Sequence, residues 1–275
     1  MHKEIASSKI ARNPLISAST AQVPARGPLL GRSVTTQCTH GSTASSESWC
    51  NISMCGRFTQ KYTWRELVEL HRLTQPARNL QPRYNAAPTT TIDAVRAREG
   101  ARELVPLRWG LVPSWWKKPL KHVPATFNAR SETVAEKPMF RSAFKRTRCI
   151  IPASGYYEWR TVNGAKQPYY FSASDAGVLS IAGLWDEWKD ITSGEPLLSC
   201  TMIVTEANEF AGRVHDRMPV FLAGDSFEAW LDGSAGVELL RPAPENLLHV
   251  WPVSKRVNRS GTGGDDPTLI DRIAS

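Results

Sequence analysis

Six runs of four to seven residues rich in β-branched and aromatic side chains constrain the fold of this chain more than any other feature: Leu104–Trp109, Arg148–Ile151, Tyr156–Trp159, Tyr169–Ser172, Val178–Leu184 and Cys200–Thr205. Each is too short for a buried helix and has the composition of a strand. Asn163–Gly164 lies between the third and fourth runs, and both residue types tolerate the positive φ of a two-residue hairpin turn. Leu67, Val68 and Leu70 follow Thr63, an N-cap residue type, and predict a short helix within Thr63–Leu73. Further short helices are expected over Pro138–Lys145, Ala207–Arg213 and Asp225–Leu231. The fold class is therefore α+β: a single domain with a mixed, mostly antiparallel sheet or barrel-like core and flanking short helices.

Residues 1–53 differ in composition from the rest. They are rich in Ser, Thr and Ala and hold one of the ten tryptophans, so they read as a disordered extension. The domain is expected over 54–258, and 259–275 reads as a polar tail. Five cysteines, at 38, 50, 55, 149 and 200, are odd in number and irregularly spaced, which points to a reducing compartment rather than a disulfide framework. No run approaches the roughly 20 apolar residues of a membrane span, and no apolar signal core opens the chain. A soluble, cytoplasmic monomer without cofactor or metal is expected, nucleoid-associated in a bacterium. The net charge of +8, most of it beyond residue 53, favours acidic partners such as nucleic acid.

The segment Met54-Cys55-Gly56-Arg57-Phe58 carries the most specific chemistry. Methionine before a small residue is what initiator-methionine removal acts on, and that removal would make Cys55 the first residue. A terminal cysteine offers a thiol and an α-amine on adjacent carbons, with unperturbed pKa values of about 8.5 and about 7.7–8.0. With an aldehyde the amine forms a Schiff base, and the thiol then closes a five-membered thiazolidine. By itself this segment reads more readily as a buried apolar pair.

Further blocks change that balance: Asn85-Ala86-Ala87-Pro88-Thr89, Trp109-Gly110-Leu111-Val112-Pro113-Ser114-Trp115, Asn128-Ala129-Arg130-Ser131-Glu132-Thr133, Ile151-Pro152-Ala153-Ser154-Gly155-Tyr156-Tyr157-Glu158-Trp159 and His215-Asp216-Arg217-Met218-Pro219-Val220. Together, and in this order from Cys55 to about Val253, they resemble the SRAP family, the SOS response-associated peptidases understood as abasic-site processing proteins. The resemblance implies an SRAP-like domain, a partner in single-stranded DNA containing abasic sites, and lyase and self-processing peptidase chemistry. It makes Cys55 the nucleophile, with Asn128, Glu158 and His215 grouped around the thiazolidine. Asn128 can donate and accept hydrogen bonds without a charge. Glu158, between aromatic residues, suits proton transfer, and His215 can shuttle protons near neutral pH. Arg57, Arg130 and Arg217 stand one or two residues from these positions, where guanidinium groups would hold phosphates. Trp109, Trp115 and Trp116, with the rigid Pro88 and Pro113, would offer faces to unpaired bases. Arg96, Arg98 and Arg102 read as surface solvation.

One feature departs from the family: Met54 and 53 further residues precede Cys55, and an internal cysteine forms no thiazolidine. Met54 as the true initiator is the leading expectation, with self-cleavage of the Met54–Cys55 bond and an organellar leader as alternatives. Other functions remain open: a cysteine or N-terminal-nucleophile peptidase using Cys55 and His215, passive single-stranded DNA binding, and a zinc module of Cys38, His40, Cys50 and Cys55, whose spacing fits no common pattern.

Overall fold

The computed structural model describes residues 55–259, 261 and 264–274, so the reading of residues 1–53 falls outside it, as do Cys38, His40 and Cys50. Among the described residues the chain runs β1 (Arg57–Gln60), α1 (Trp64–His71), β2 (Arg83–Ala86), β3 (Thr91–Arg98), β4 (Ala101–Trp109), β5 (Asn128–Arg130), α2 (Arg141–Arg146), β6 (Arg148–Ala153), β7 (Gly155–Val162), β8 (Ala165–Ala173), β9 (Leu179–Lys189), β10 (Pro196–Glu206), α3 (Glu209–Gly212), β11 (Arg217–Pro219), α4 (Phe227–Asp232) and β12 (Leu248–Pro252). The fold is α+β, as expected, and no helix here is long and apolar enough to cross a membrane.

Five strands close on themselves. β4 pairs with β3, β3 with β6, β6 with β9 and β9 with β10, all antiparallel. β10 then returns to β4 in parallel through Ser199↔Arg108 and Cys200↔Trp109. Closure leaves this set no free edge, which is how small barrels avoid unpaired backbone groups. β5 and β11 lie along β10 beyond the closure. The second sheet, in the order β12-β8-β7-β1-β2, is antiparallel throughout.

Side-chain alternation divides the barrel strands between two cores, because successive strand residues point to opposite faces. Ile92, Leu107, Ile151, Ile181 and Met202 join Phe58, Tyr156 and Phe171 of the second sheet in one cluster. Val95, Leu104, Ile150, Leu184 and Ile203 face the other way and pack on Leu67, Phe144 and Trp230 of the helices. A third, aromatic cluster of Tyr157, Tyr170, Trp159 and Trp251 covers the outer face of the second sheet, together with Val253, Val257 and Ile270. Residues 264–274, read as a polar tail from their composition, are thus part of the folded unit: Leu269 is buried and Trp251 Nε1 donates to the Ile270 carbonyl at 2.8 Å. Two adjacent apolar residues are too few to stand out in a polar segment.

The six expected strands all form, each longer than its apolar run. The turn at Asn163 and Gly164 takes φ of 49° and 76° between Val162 and its partner Ala165. Thr63 caps α1 as expected, accepting from Glu66 N at 3.2 Å while Glu66 Oε2 accepts from Thr63 N at 2.6 Å. β1, β2, β3, β5, β11 and β12 were not anticipated. β3 carries Asp93 and Arg96 among its apolar residues, and both are buried with partners: Arg83 reaches Asp93 at 3.3 Å, and Arg96 pairs with Glu103 at 2.6 Å over the Trp185 ring. Arg96 is therefore no solvated surface residue, and its charge hid the strand. Arg98 is exposed as expected, whereas Arg102 donates to the His71 carbonyl at 3.3 Å.

His71 ends α1 fully buried against Phe227, with neither ring nitrogen hydrogen-bonded among the described residues. Burial, with Arg102 nearby, pushes its pKa down from 6.5 to about 4. The unfolded chain therefore binds the proton more tightly, and the contribution of neutral His71 to stability is lost as pH falls from 6.5 toward 4. The loss is on the order of 3 kcal/mol. Urea unfolding midpoints measured from pH 7 to pH 4 should fall more steeply for the wild type than for His71→Leu; parallel curves would show that His71 does not titrate this way.

Candidate active site

Cys55 stands just before β1 and is 1% exposed. The register of β1 on β7, with Phe58 opposite Tyr156 and Arg57 opposite Tyr157, lays this strand along the one that carries Glu158. Alternation on β7 turns Tyr156 and Glu158 to the face of the mixed core and Tyr157 and Trp159 to the outer aromatic cluster. Gly155 makes the close crossing possible, since a Cβ there would collide with the Phe171 carbonyl and the Tyr170 hydroxyl. The Tyr170 hydroxyl in turn lies 2.8 Å from Thr59 Oγ1 of β1.

Asn128 arrives from the opposite side. β5 is held in parallel along β10, with Asn128 opposite Met202, and Met202 N donates to the Phe127 carbonyl at 2.9 Å. Trp109 Nε1 donates to that same carbonyl at 2.8 Å, and the Trp109 ring meets Phe58 and Phe127 edge to face at 4.9 and 5.8 Å. From this position Asn128 Nδ2 donates to the Cys55 carbonyl at 2.8 Å. The amide thus orients the residue that bears the sulfur, while Asn128 Oδ1 is buried without a hydrogen-bond partner among the described residues.

Glu158 is 2% exposed, and its carboxyl and the Cys55 thiol are near enough to act on one another. Burial is the main cause that raises its pKa from 4.5 to about 8; the thiol contact opposes that rise. At neutral pH the carboxyl is therefore mostly protonated. Burial, with Glu158 second, pushes the Cys55 thiol well above its usual value, so both groups are protonated at neutral pH. Among the described residues, Glu158 Oε1 and the Tyr156 hydroxyl are also buried without partners.

His215 lies just before β11. Its Nδ1 accepts from Arg217 N at 3.0 Å, which assigns the proton of the neutral ring to Nε2. Burial lowers its pKa despite Asp216, so the 3.1 Å approach of Asp216 Oδ1 to Nδ1 is no ion pair at neutral pH. Asp216 and Lys166 act electrostatically on both His215 and Glu158.

The expected DNA-contacting residues divide. Arg130 is exposed at the end of β5, opposite Val204 of β10, and Arg217 begins β11 opposite Glu206 on the other edge of the same strand. Arg217 pairs with Glu132, a partner for which the sequence offered no signal. Arg57 donates to Asn85 Oδ1 and the Val257 carbonyl, both at 2.8 Å, so its guanidinium already ties β1 to the C-terminal segment. Trp115 is 43% exposed and inclined against Trp116 at 6.1 Å. Pro88 is half-buried and Pro113 buried. Trp109 is corrected: fully buried between Phe58 and Phe127, it has no face to offer a base and instead positions Asn128. No group of three or more His, Cys, Asp or Glu among the described residues is placed to hold a metal.

Comparison with known proteins identifies the family to which the chain is similar. The family described as SOS response associated peptidase (SRAP) matches residues 54–260. Abasic site processing protein YoaM of Bacillus subtilis is 38% identical, over 74% of this chain and 93% of its own. Abasic site processing protein YoqW of the same organism is 35% identical, over 79% of this chain and 99% of its own. A crystal structure of a Bacteroides thetaiotaomicron protein superposes with a TM-score of 0.72 at 25% identity, over 80% of this chain and 100% of that one.

The raised pKa of Glu158 has a measurable effect. Its protonated form belongs to the folded state, so its contribution is complete below pH 4.5 and is lost as pH rises through about 8. The loss is a few kcal/mol in order of magnitude. Glu158→Gln, which stays neutral, should unfold at higher urea than the wild type at pH 8.5, with the gap narrowing at pH 5.5; a gap independent of pH would show that the carboxyl ionises normally in the folded protein.

Proposed function

The chain belongs to the SOS response associated peptidase (SRAP) family, and we propose that it processes abasic sites in single-stranded DNA by capturing the sugar aldehyde on Cys55 as a thiazolidine. The observation that carries this reading is the buried Glu158 carboxyl against the Cys55 thiol, with Asn128 holding the Cys55 carbonyl. A disulfide or purely structural cysteine has no use for a neutral, buried acid at its sulfur. The chemistry requires Cys55 to carry a free α-amine, so the polypeptide must begin there when it acts.

The amine attacks C1′ of the ring-opened sugar, and the unpaired Asn128 Oδ1 accepts one of its hydrogens. Protonated Glu158 gives its proton to the carbinolamine hydroxyl, which leaves as water and forms the imine. The resulting carboxylate takes the thiol proton as sulfur bonds to C1′, and the nitrogen, left as an iminium that keeps its hydrogen when water departs, becomes the ring N–H. The imine stage also opens the lyase route, since it promotes loss of the 3′ phosphate by β-elimination. His215, neutral with Nε2 protonated, serves as a proton relay. Single-stranded DNA is favoured because an unpaired sugar needs no extraction from a duplex. Arg130 and Arg217 bind phosphates along β10, where a phosphate would compete with Glu132 for Arg217, and Trp115 stacks on a base.

The test compares the full chain with protein beginning at Cys55, each incubated with a single-stranded abasic oligonucleotide and, separately, with a peptide. A denaturing gel should show a shifted band only for the form beginning at Cys55. Cys55→Ser should abolish the band and Glu158→Gln should slow its formation about 100-fold. Peptide turnover without a DNA adduct would instead establish a peptidase, and retention of DNA without either would establish passive binding. Arg130→Ala should weaken binding to single strands of any sequence and lower the slope of log affinity against log salt by about 0.7; an unchanged slope would remove Arg130 from the phosphate contacts.

A further inference from the structure

We propose that the Tyr156 hydroxyl is a specificity-determining group that hydrogen-bonds the C4′ hydroxyl released when the abasic sugar opens, an inference that rests on the aldehyde-capture reading above. Tyr156 shares a strand face with Glu158 and a packed cluster with Cys55, and it is 1% exposed. Its ring is clamped by stacking on Phe171 at 4.8 Å and 10°, with Phe221 on another side at 6.1 Å. Only the O–H torsion is left to turn. The hydroxyl has no hydrogen-bond partner among the described residues, although a buried, unsatisfied polar group costs stability that phenylalanine would avoid at the same position.

Among the described residues, three buried polar atoms in this site are unpartnered: Asn128 Oδ1, Glu158 Oε1 and the Tyr156 hydroxyl. The capture chemistry assigns the first to the α-amine and the second to the departing oxygen at C1′. The third has no part in forming the ring. It is a donor and an acceptor at once, and its complement is a ligand hydroxyl. Opening the deoxyribose produces one: the ring oxygen becomes a hydroxyl on C4′, three bonds along the carbon chain from C1′. That hydroxyl is also the group whose return to C1′ would close the sugar again, so a bond to Tyr156 favours the open form that the amine attacks. Cys55 and Glu158 both act electrostatically on the phenol, consistent with a hydroxyl directed at the reacting atoms.

Tyr156→Phe keeps the stack on Phe171 and removes only the oxygen. In protein beginning at Cys55, the rate of adduct formation is measured on two single-stranded oligonucleotides. One carries an abasic deoxyribose; the other carries an acyclic aldehyde linker of the same length and phosphate spacing, with hydrogen in place of the C4′ hydroxyl. The variant should lose about 3- to 10-fold on the abasic substrate, the worth of one neutral hydrogen bond, and stay within about twofold of wild type on the linker. It should also unfold at the same or higher urea than wild type, an outcome that excludes damage to the fold as the cause. Equal losses on both substrates, or none on the abasic one, overturn the assignment to Tyr156 while leaving aldehyde capture intact. No adduct from the wild type with either substrate overturns aldehyde capture itself and this inference with it.

Discussion

The arrangement at Cys55 depends on one buried indole. Trp109 ends a barrel strand, donates its N–H to the Phe127 carbonyl, and sets its edges against Phe58 and Phe127. Phe58 lies three residues after Cys55 and Phe127 immediately precedes Asn128, so a single rigid side chain fixes the spacing between Cys55 and the amide that orients it. Flexible apolar residues would fill the same volume without setting that distance. An aromatic ring with one directional donor supplies both packing and geometry.

Around this support the protein collects groups that disfavour burial. A neutral carboxyl, a half-used amide and an unpartnered hydroxyl lie within a few residues of one another in the fold, all nearly inaccessible to solvent. Each destabilises the ligand-free state, as the unpartnered ring nitrogens of His71 do elsewhere, whereas the buried charges of Asp93 and Arg96 are matched, the first by Arg83 and Arg78 and the second by Glu103 and Trp185. Low dielectric raises the Glu158 pKa to about 8 and so makes a carboxylic acid available as a proton donor at neutral pH.

The barrel and the second sheet divide the work. Closure of β4, β3, β6, β9 and β10 supplies a rigid frame on which β5 and β11 hang from either edge of β10, bringing Arg130 and Arg217 to its two sides. The second sheet carries Cys55, Tyr156 and Glu158 to the same core. The C-terminal segment, through Arg57, Asn85 and Trp251, backs that sheet on its outer face and holds β1 in register.

Much of this was legible in the sequence wherever the signal is local. The apolar runs reported strands, Asn163–Gly164 its hairpin and Thr63 its cap, because pleat, turn and cap are set by residues a few positions apart. The motif blocks likewise carried the family and the grouping of Cys55 with Asn128 and Glu158. Tertiary structure alone decided the rest. Strands β3, β5 and β11 are defined by their partners, either because buried charges are neutralised by residues distant in sequence or because three residues are too few to show a period. Trp109 and Trp115, alike in sequence, part company because burial depends on what arrives from Phe58 and Phe127. The raised pKa of Glu158 belongs to no residue type: it arises from the loss of water around a carboxyl that only the closed fold encloses.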